Sequence, residues 1–156
     1  MQLNTWNVRT LSEPGALRAL ILELRHYRCD ITAVQETKWS GVHTFVSDGF
    51  QVLFSNRKDK RTFGTGFLVG PRWAARIIGW NPVDGRICVL RVRGKFFNMS
   101  IINVHAPHNG RPDEEKDAFY SLLEQTYKQC PQHDVKIVIG DLNAQVGREE
   151  MLRPTI

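Results

Sequence analysis

Cysteine is scarce in this sequence: Cys29, Cys88 and Cys130 are odd in number, widely spaced and never form a C-x-x-C pair. That pattern indicates neither a disulfide framework nor a zinc site, and it fits a reducing compartment. The start of the chain lacks the basic-then-apolar layout of a signal peptide, and no apolar run reaches membrane-spanning length. The expectation is a soluble intracellular protein, nuclear or cytoplasmic and not secreted. No G-x-x-x-x-G-K-[ST] occurs, and Gly64, Gly66 and Gly70 lack the rest of a dinucleotide fingerprint, so the common nucleotide loops drop out. Internal repeats, low-complexity tracts and linkers are also missing. What remains is one domain, or part of one, over residues 1–156.

What is present is an ordinary globular composition, 42% apolar and 24% charged in 156 residues, enough for a real core. Lys and Arg number 21 against 16 Asp and Glu, a formal charge of +5 that favours a polyanionic partner such as nucleic acid. Four of the cations, Arg57, Lys58, Lys60 and Arg61, share one loop. That loop is suited to lie along a phosphate backbone, or else it is a solvated tip.

Strand and helix patterns alternate. Leu3 to Val8 reads as a strand, central because it opens the domain. Ser12 and Pro14 mark a helix start, with Leu17, Leu20, Ile21 and Leu24 on one stripe. Asp30 to Gln35 is a buried strand ending at Glu36. Phe50 to Ser55 and Phe63 to Val69 form a hairpin around the basic loop. A second hairpin runs from Asp84-Gly85 through Gly94-Lys95 into Phe96 to Val104, apolar on both faces near its end and so central, and delivers His105. Pro112 and Asp113-Glu114-Glu115 begin a helix with Phe119, Leu122, Leu123 and Thr126 on its buried stripe. Val135 to Ile139 is a last buried strand, and Gly140 lets the chain turn into Asp141-Leu142-Asn143. Residues 147–156 read as a polar tail.

Polar residues thus sit at four strand ends: Asn7, Glu36, His105, and Asp141 with Asn143. Each alone has a bland reading, a solvated Glu, a structural His, an Asx turn. Together they suit phosphoryl chemistry. Glu36 offers a hard oxygen to Mg²⁺, which keeps most of its waters and needs only one or two carboxylates. Asp141 is placed to take a proton from an attacking water, Asn143 and Asn7 to orient that water or a phosphoryl oxygen, and His105 to donate to developing charge. His108 and Asn109, in the polar loop after His105, join the basic loop as candidate nucleic-acid contacts.

Asn4-Thr5-Trp6-Asn7-Val8-Arg9-Thr10-Leu11, Gln35-Glu36-Thr37-Lys38-Trp39, Asn103-Val104-His105-Ala106-Pro107 and Gly140-Asp141-Leu142-Asn143 resemble, in order, the motifs of the endonuclease/exonuclease/phosphatase superfamily. Within it the opening is most similar to craniofacial development protein 2-like sequences and to the apurinic-type endonucleases of non-LTR retrotransposons. The resemblance implies the N-terminal portion of a four-layer α/β sandwich, with mixed sheet and helices on one face. It also implies Glu36 as metal ligand with Asn7 supporting it, Asp141 activating water, Asn143 orienting the site, Mg²⁺ (with Mn²⁺ as the alternative) as cofactor and DNA as partner. Other members hydrolyse different phosphoesters, and a catalytically dead binding remnant is the contrasting reading. In two respects the sequence departs from the pattern. His105 stands where many members carry Tyr, and the later Asp and closing Asp-His pair have no counterpart after Asn143. The expectation is a partial domain, roughly one sheet-and-helix half, with apolar strand faces left exposed.

Overall fold

The computed structural model describes residues 1–144, so the expected tail at 147–156 lies outside the described residues. In chain order the elements are β1 (Leu3–Asn7), α1 (Ala16–His26), β2 (Ile31–Gln35), β3 (His43–Ser47), β4 (Phe50–Ser55) and β5 (Thr65–Val69). Then follow α2 (Pro71–Ala74), β6 (Ile77–Asn81), β7 (Ile87–Val92), β8 (Met99–His105), α3 (Asp113–Gln129) and β9 (Val135–Asp141).

The strands form two mixed sheets, one in the order β1-β2-β5-β4-β3 and the other β6-β7-β8-β9. Three apolar clusters stack them into four layers. Leu20, Ile21 and Leu24 of α1 pack on Val34, Val52, Phe54 and Leu68. Ile31, Ala33, Leu53, Phe67 and Val69 of the first sheet meet Cys88, Leu90, Val92 and Ile101 of the second. Phe119 of α3 covers Ile87, Val89, Ile102 and Val104. The order helix, sheet, sheet, helix is the α/β sandwich that the motifs imply, with each sheet carrying a helix on one face. It corrects the expectation of a single sheet-and-helix half, because parts of both sheets are here.

Burial explains the strand compositions. β2 and β5 are buried at every position and read Ile-Thr-Ala-Val-Gln and Thr-Gly-Phe-Leu-Val, with no solvated face to call for alternation. β8 is buried from Ser100 to His105, the central strand that its two apolar faces predict. It begins at Met99, however, and Phe96 and Phe97 stand outside it, 81% and 65% exposed. β3 and β6 are additions that the apolar-run reading misses. β3 alternates half-buried with exposed residues, and the two-residue turn Asp48-Gly49, both at positive φ, joins it to β4 as a hairpin.

Two placements differ from expectation. Among the described residues β1 is an edge strand paired only with β2, and β9 an edge strand paired only with β8. Val135 and Val138 of β9 are consequently 46% and 41% exposed, since α3 sits over β7 and β8 and stops short of the edge. Of the exposed apolar surface expected of the two strands read as apolar on both faces, Val135 and Val138 of β9 and the flanking Phe96 and Phe97 are exposed, whereas β8 is buried from Ser100 to His105.

Candidate active site

β1 and β2 run parallel in register, Asn7 beside Gln35, and β8 and β9 do the same with His105 beside Asp141. All four strands thus end on the same side of the sandwich, one pair from each sheet. β9 reaches this register through a bend at Gly140, whose φ is +132 and where a Cβ would come within 2.1 Å of the Val104 carbonyl oxygen. No side chain fits that approach.

The structure brings Asn7, Glu36, His105, Asp141 and Asn143 together. The Asn7 amide nitrogen donates to Glu36 Oε1 at 2.9 Å and to Asp141 Oδ2 at 3.2 Å, bridging the carboxylates of the two sheets. Asn7 Oδ1 accepts from the Arg9 backbone N–H, which fixes the amide with its nitrogen facing the carboxylates. His105 Nε2 lies 3.7 Å from Glu36 Oε1. The Asn143 backbone N–H donates to Asp141 Oδ1 at 2.9 Å, an Asx turn, while its side-chain amide donates to the Ala106 carbonyl. The bland turn and the convergent cluster are both present at once.

Backbone strain concentrates here. Of the seven non-glycine residues at positive φ in the described chain, Arg9, Glu36, Lys38, Phe63 and Asn143 surround this cluster. Each such conformation costs about 1 kcal/mol or more, a cost the surrounding structure must impose.

His105 is buried, and burial pushes its imidazole below the ordinary value of 6.5; Glu36 pulls the other way and Arg86 reinforces the fall. The ring is therefore neutral at pH 7. Its Nδ1 is buried without a hydrogen-bond partner among the described residues, so the Nε2 edge facing Glu36 is where the proton has an acceptor nearby.

Around the cluster are residues that the sequence reading missed. Lys38, Thr62, Phe63, Arg86 and Arg111 line a hollow of about 330 Å³ with Glu36, His105 and His108. The Arg86 guanidinium lies 4.1 Å over the Phe63 ring, and its two terminal nitrogens donate to the His105 carbonyl and to Glu115 of α3. Nothing local in the sequence marks Arg86, since the partners of its guanidinium come from other elements.

The candidate nucleic-acid residues are spread along the rim. Arg57, Lys58, Lys60 and Arg61 are exposed on the β4–β5 loop, which ends in Thr62 and Phe63 at the hollow. Asn56 at its base is buried and donates to the carbonyls of Trp39 and Thr62, holding the loop's two ends. Arg57 pairs with Asp59 at 3.3 Å. Asn109 is exposed and lies outside the set lining the hollow.

Among the described residues no group of three or more His, Cys, Asp or Glu is placed to encase a metal ion. No helix among them is long and apolar enough to cross a membrane.

Comparison with known proteins identifies the family and the fold. Residues 4–156 match the model of the Endonuclease/Exonuclease/phosphatase family. Craniofacial development protein 2 from Bos taurus is 34% identical over 96% of this chain, which spans only 25% of that protein. A D. rerio TDP2 structure complexed with single strand DNA product superposes with a TM-score of 0.63 at 15% identity, covering 90% of this chain and 60% of that one. The endonuclease domain of TRAS1, a telomere-specific non-LTR retrotransposon, gives a TM-score of 0.60 at 19% identity over 90% of this chain and 58% of that one. At those identities the two structures establish the likeness of fold, and the family match carries the assignment: the chain belongs to the endonuclease/exonuclease/phosphatase family of hydrolytic enzymes.

Proposed function

We propose that this chain supplies the Glu36–Asp141 portion of a Mg²⁺-dependent phosphodiester hydrolase acting on DNA, an endonuclease of the retrotransposon-related kind. The observation that carries the reading is the Asn7 amide shared between Glu36 and Asp141, which holds two carboxylates from opposite sheets toward one cleft with no Lys or Arg neutralising either among the described residues.

The donor set fits a hard cation that keeps most of its waters, because Glu36 and Asp141 offer carboxylate oxygen toward one cleft. Glu36 would hold the ion, with Mn²⁺ an acceptable substitute. Asn7 presents nitrogen rather than oxygen, so its part is to orient the carboxylates. Bound Mg²⁺ would neutralise charge on the phosphoryl oxygens.

The other roles belong to the chain's own side chains. Asp141 keeps lone pairs open to the cleft and can take the proton of an attacking water. Asn143, whose amide leans on the Ala106 carbonyl, retains an N–H and its oxygen to orient that water. His105 remains neutral and offers its Nε2–H to charge building on the phosphoryl group, as the Tyr of other members would. The exposed cations of the β4–β5 loop extend the site toward a phosphate backbone, in keeping with the formal charge of +5. TDP2 with its DNA product and the retrotransposon endonuclease share this fold and make DNA the first substrate to test.

A second reading, nucleic-acid binding without hydrolysis, is favoured by one observation, the lack of a three-ligand cluster among the described residues. Incubating the chain with an abasic-site duplex separates the two. Mg²⁺-dependent strand cleavage that is abolished by EDTA and by Glu36→Gln supports hydrolysis. Duplex binding with no cleavage in Mg²⁺ or Mn²⁺ supports the second.

A further inference from the structure

Directly beneath the cluster lies a layer of polar side chains with no part in the chemistry just described. Asn103 on β8 is fully buried, yet it reaches across to the facing sheet. Its amide donates to the Val34 carbonyl at 2.9 Å and the Gly66 carbonyl at 2.7 Å, on β2 and β5. Its oxygen accepts from Gln35 Nε2 at 2.8 Å, and the same Gln35 nitrogen donates to Thr5 Oγ1 on β1 at 3.1 Å. Gln35 is itself 1% exposed. Four strands from two sheets are tied together by two amides.

Burying two amides in an apolar sandwich has a cost that hydrogen bonding roughly offsets; a pair of apolar residues would hold the sheets together as well. What apolar packing would not fix is register and separation. The layer occupies the positions that aim the cluster: Thr5 is two residues before Asn7 on one strand face, Gln35 immediately precedes Glu36, and Asn103 is two residues before His105. Gly140, which delivers Asp141, approaches so closely that a Cβ there would sit 3.0 Å from Asn103 Oδ1. Asn7, Glu36, His105 and Asp141 therefore all rise from one hydrogen-bonded floor.

We infer that Gln35 and Asn103 are positioning residues, an inter-sheet bridge that sets the separation of Glu36 from Asp141 and so the cation affinity of the cleft. The inference rests on the metal-dependent reading above. Removing an outer partner that orients a ligand lowers metal affinity by about 10- to 100-fold in general, whereas removing an ordinary buried hydrogen bond does not.

The test compares Gln35→Met, which keeps the side chain's length and drops its hydrogen bonds, with Ser100→Ala at the far end of β8, which removes one buried hydrogen bond to Asp134. Mn²⁺ affinity is measured on the whole chain by electron paramagnetic resonance, alongside thermal unfolding. The expected result is that both variants melt lower, that Gln35→Met binds Mn²⁺ about tenfold more weakly, and that Ser100→Ala binds it like the parent chain. Equal Mn²⁺ affinity in all three overturns the bridge while leaving the hydrolase reading intact. A parent chain that binds no Mn²⁺ overturns both. Should Gln35→Met fail to fold, Thr5→Val at an exposed position removes only the hydroxyl that donates to Gln35 Oε1 and accepts from Gln35 Nε2, and is expected to weaken Mn²⁺ binding by less than the roughly tenfold of Gln35→Met, because the Gln35–Asn103 hydrogen bond stays; no change would count against the bridge.

Discussion

Asp134 and Asp141 bracket β9, and their surroundings differ in kind. Asp134 has a side chain 3% exposed, receives two hydrogen bonds from Arg91 at 2.6 and 2.8 Å, and accepts a third from Ser100 at 2.7 Å. The Arg91 hydrogen bonds hold its carboxyl below the ordinary 3.8. Asp141 accepts one hydrogen bond from Asn7 and one from its own turn, and among the described residues no Lys or Arg pairs with it. A carboxylate whose charge and lone pairs are consumed by fixed partners fastens a strand. One supported only by neutral donors, at the mouth of a cleft, keeps the capacity to take a proton.

The sharpest way to break this comparison is to neutralise each Asp in turn. If the hydrolase reading holds, Asp141→Asn lowers the cleavage rate by roughly 10²–10⁴ with the melting temperature nearly unchanged, as expected for loss of a general base. Steady-state cleavage and calorimetry on the same preparations check both halves. Asp134→Ala should do the reverse. It leaves Arg91 and Ser100 without their partner and is expected to destabilise the fold by about 2–3 kcal/mol, read as the shift of a urea unfolding midpoint, with Mn²⁺ affinity retained.

Acid should separate the two ends of the strand. His105 has a lowered native pKa, so its contribution is complete above about 6.5 and is lost as pH falls from there through the native value. Asp134 is also lowered, but from 3.8, so its contribution is lost only at more acidic pH, as the carboxylate protonates. Stability against pH is therefore expected to fall in two steps, and His105→Gln should remove the upper one alone. A single step below pH 4 in both chains would contradict the assignment.

The smallest expected effect concerns the rim. If the β4–β5 loop follows DNA, neutralising Lys58, Lys60 and Arg61 should flatten the salt dependence of binding by about 0.9 per lost phosphate contact. Neutralising Arg57 should add less, because Asp59 already accompanies it. An unchanged slope makes the loop a solvated tip.

The strand ends bearing Glu36, His105 and Asp141 were legible because each follows an apolar run that stops at a polar residue, a local signal. β3 and β6 were not, since they are only half buried and lack such a run, although Asp48-Gly49 is the hairpin signal that would have located β3. Placing β1 at the centre and β9 in the interior failed for a different reason: edge or centre depends on which strands pair, and pairing is not local. The same holds for the Gln35–Asn103 bridge, whose partners are 68 residues apart, and for Arg86, whose contacts with Phe63, His105 and Glu115 exist only after the sheets close. The motif order led to the family; the geometry between motifs had to come from the fold.

The most direct test of the central claim is a Mn²⁺ titration followed by amide resonances of the chain. Substoichiometric Mn²⁺ is expected to broaden Asn7, Glu36, His105, Asp141 and Asn143 first and to leave Asp134 and its β9 neighbours sharp. Broadening that begins at Asp134, or that is uniform over the surface acids, would contradict the assignment of this cleft as the cation site.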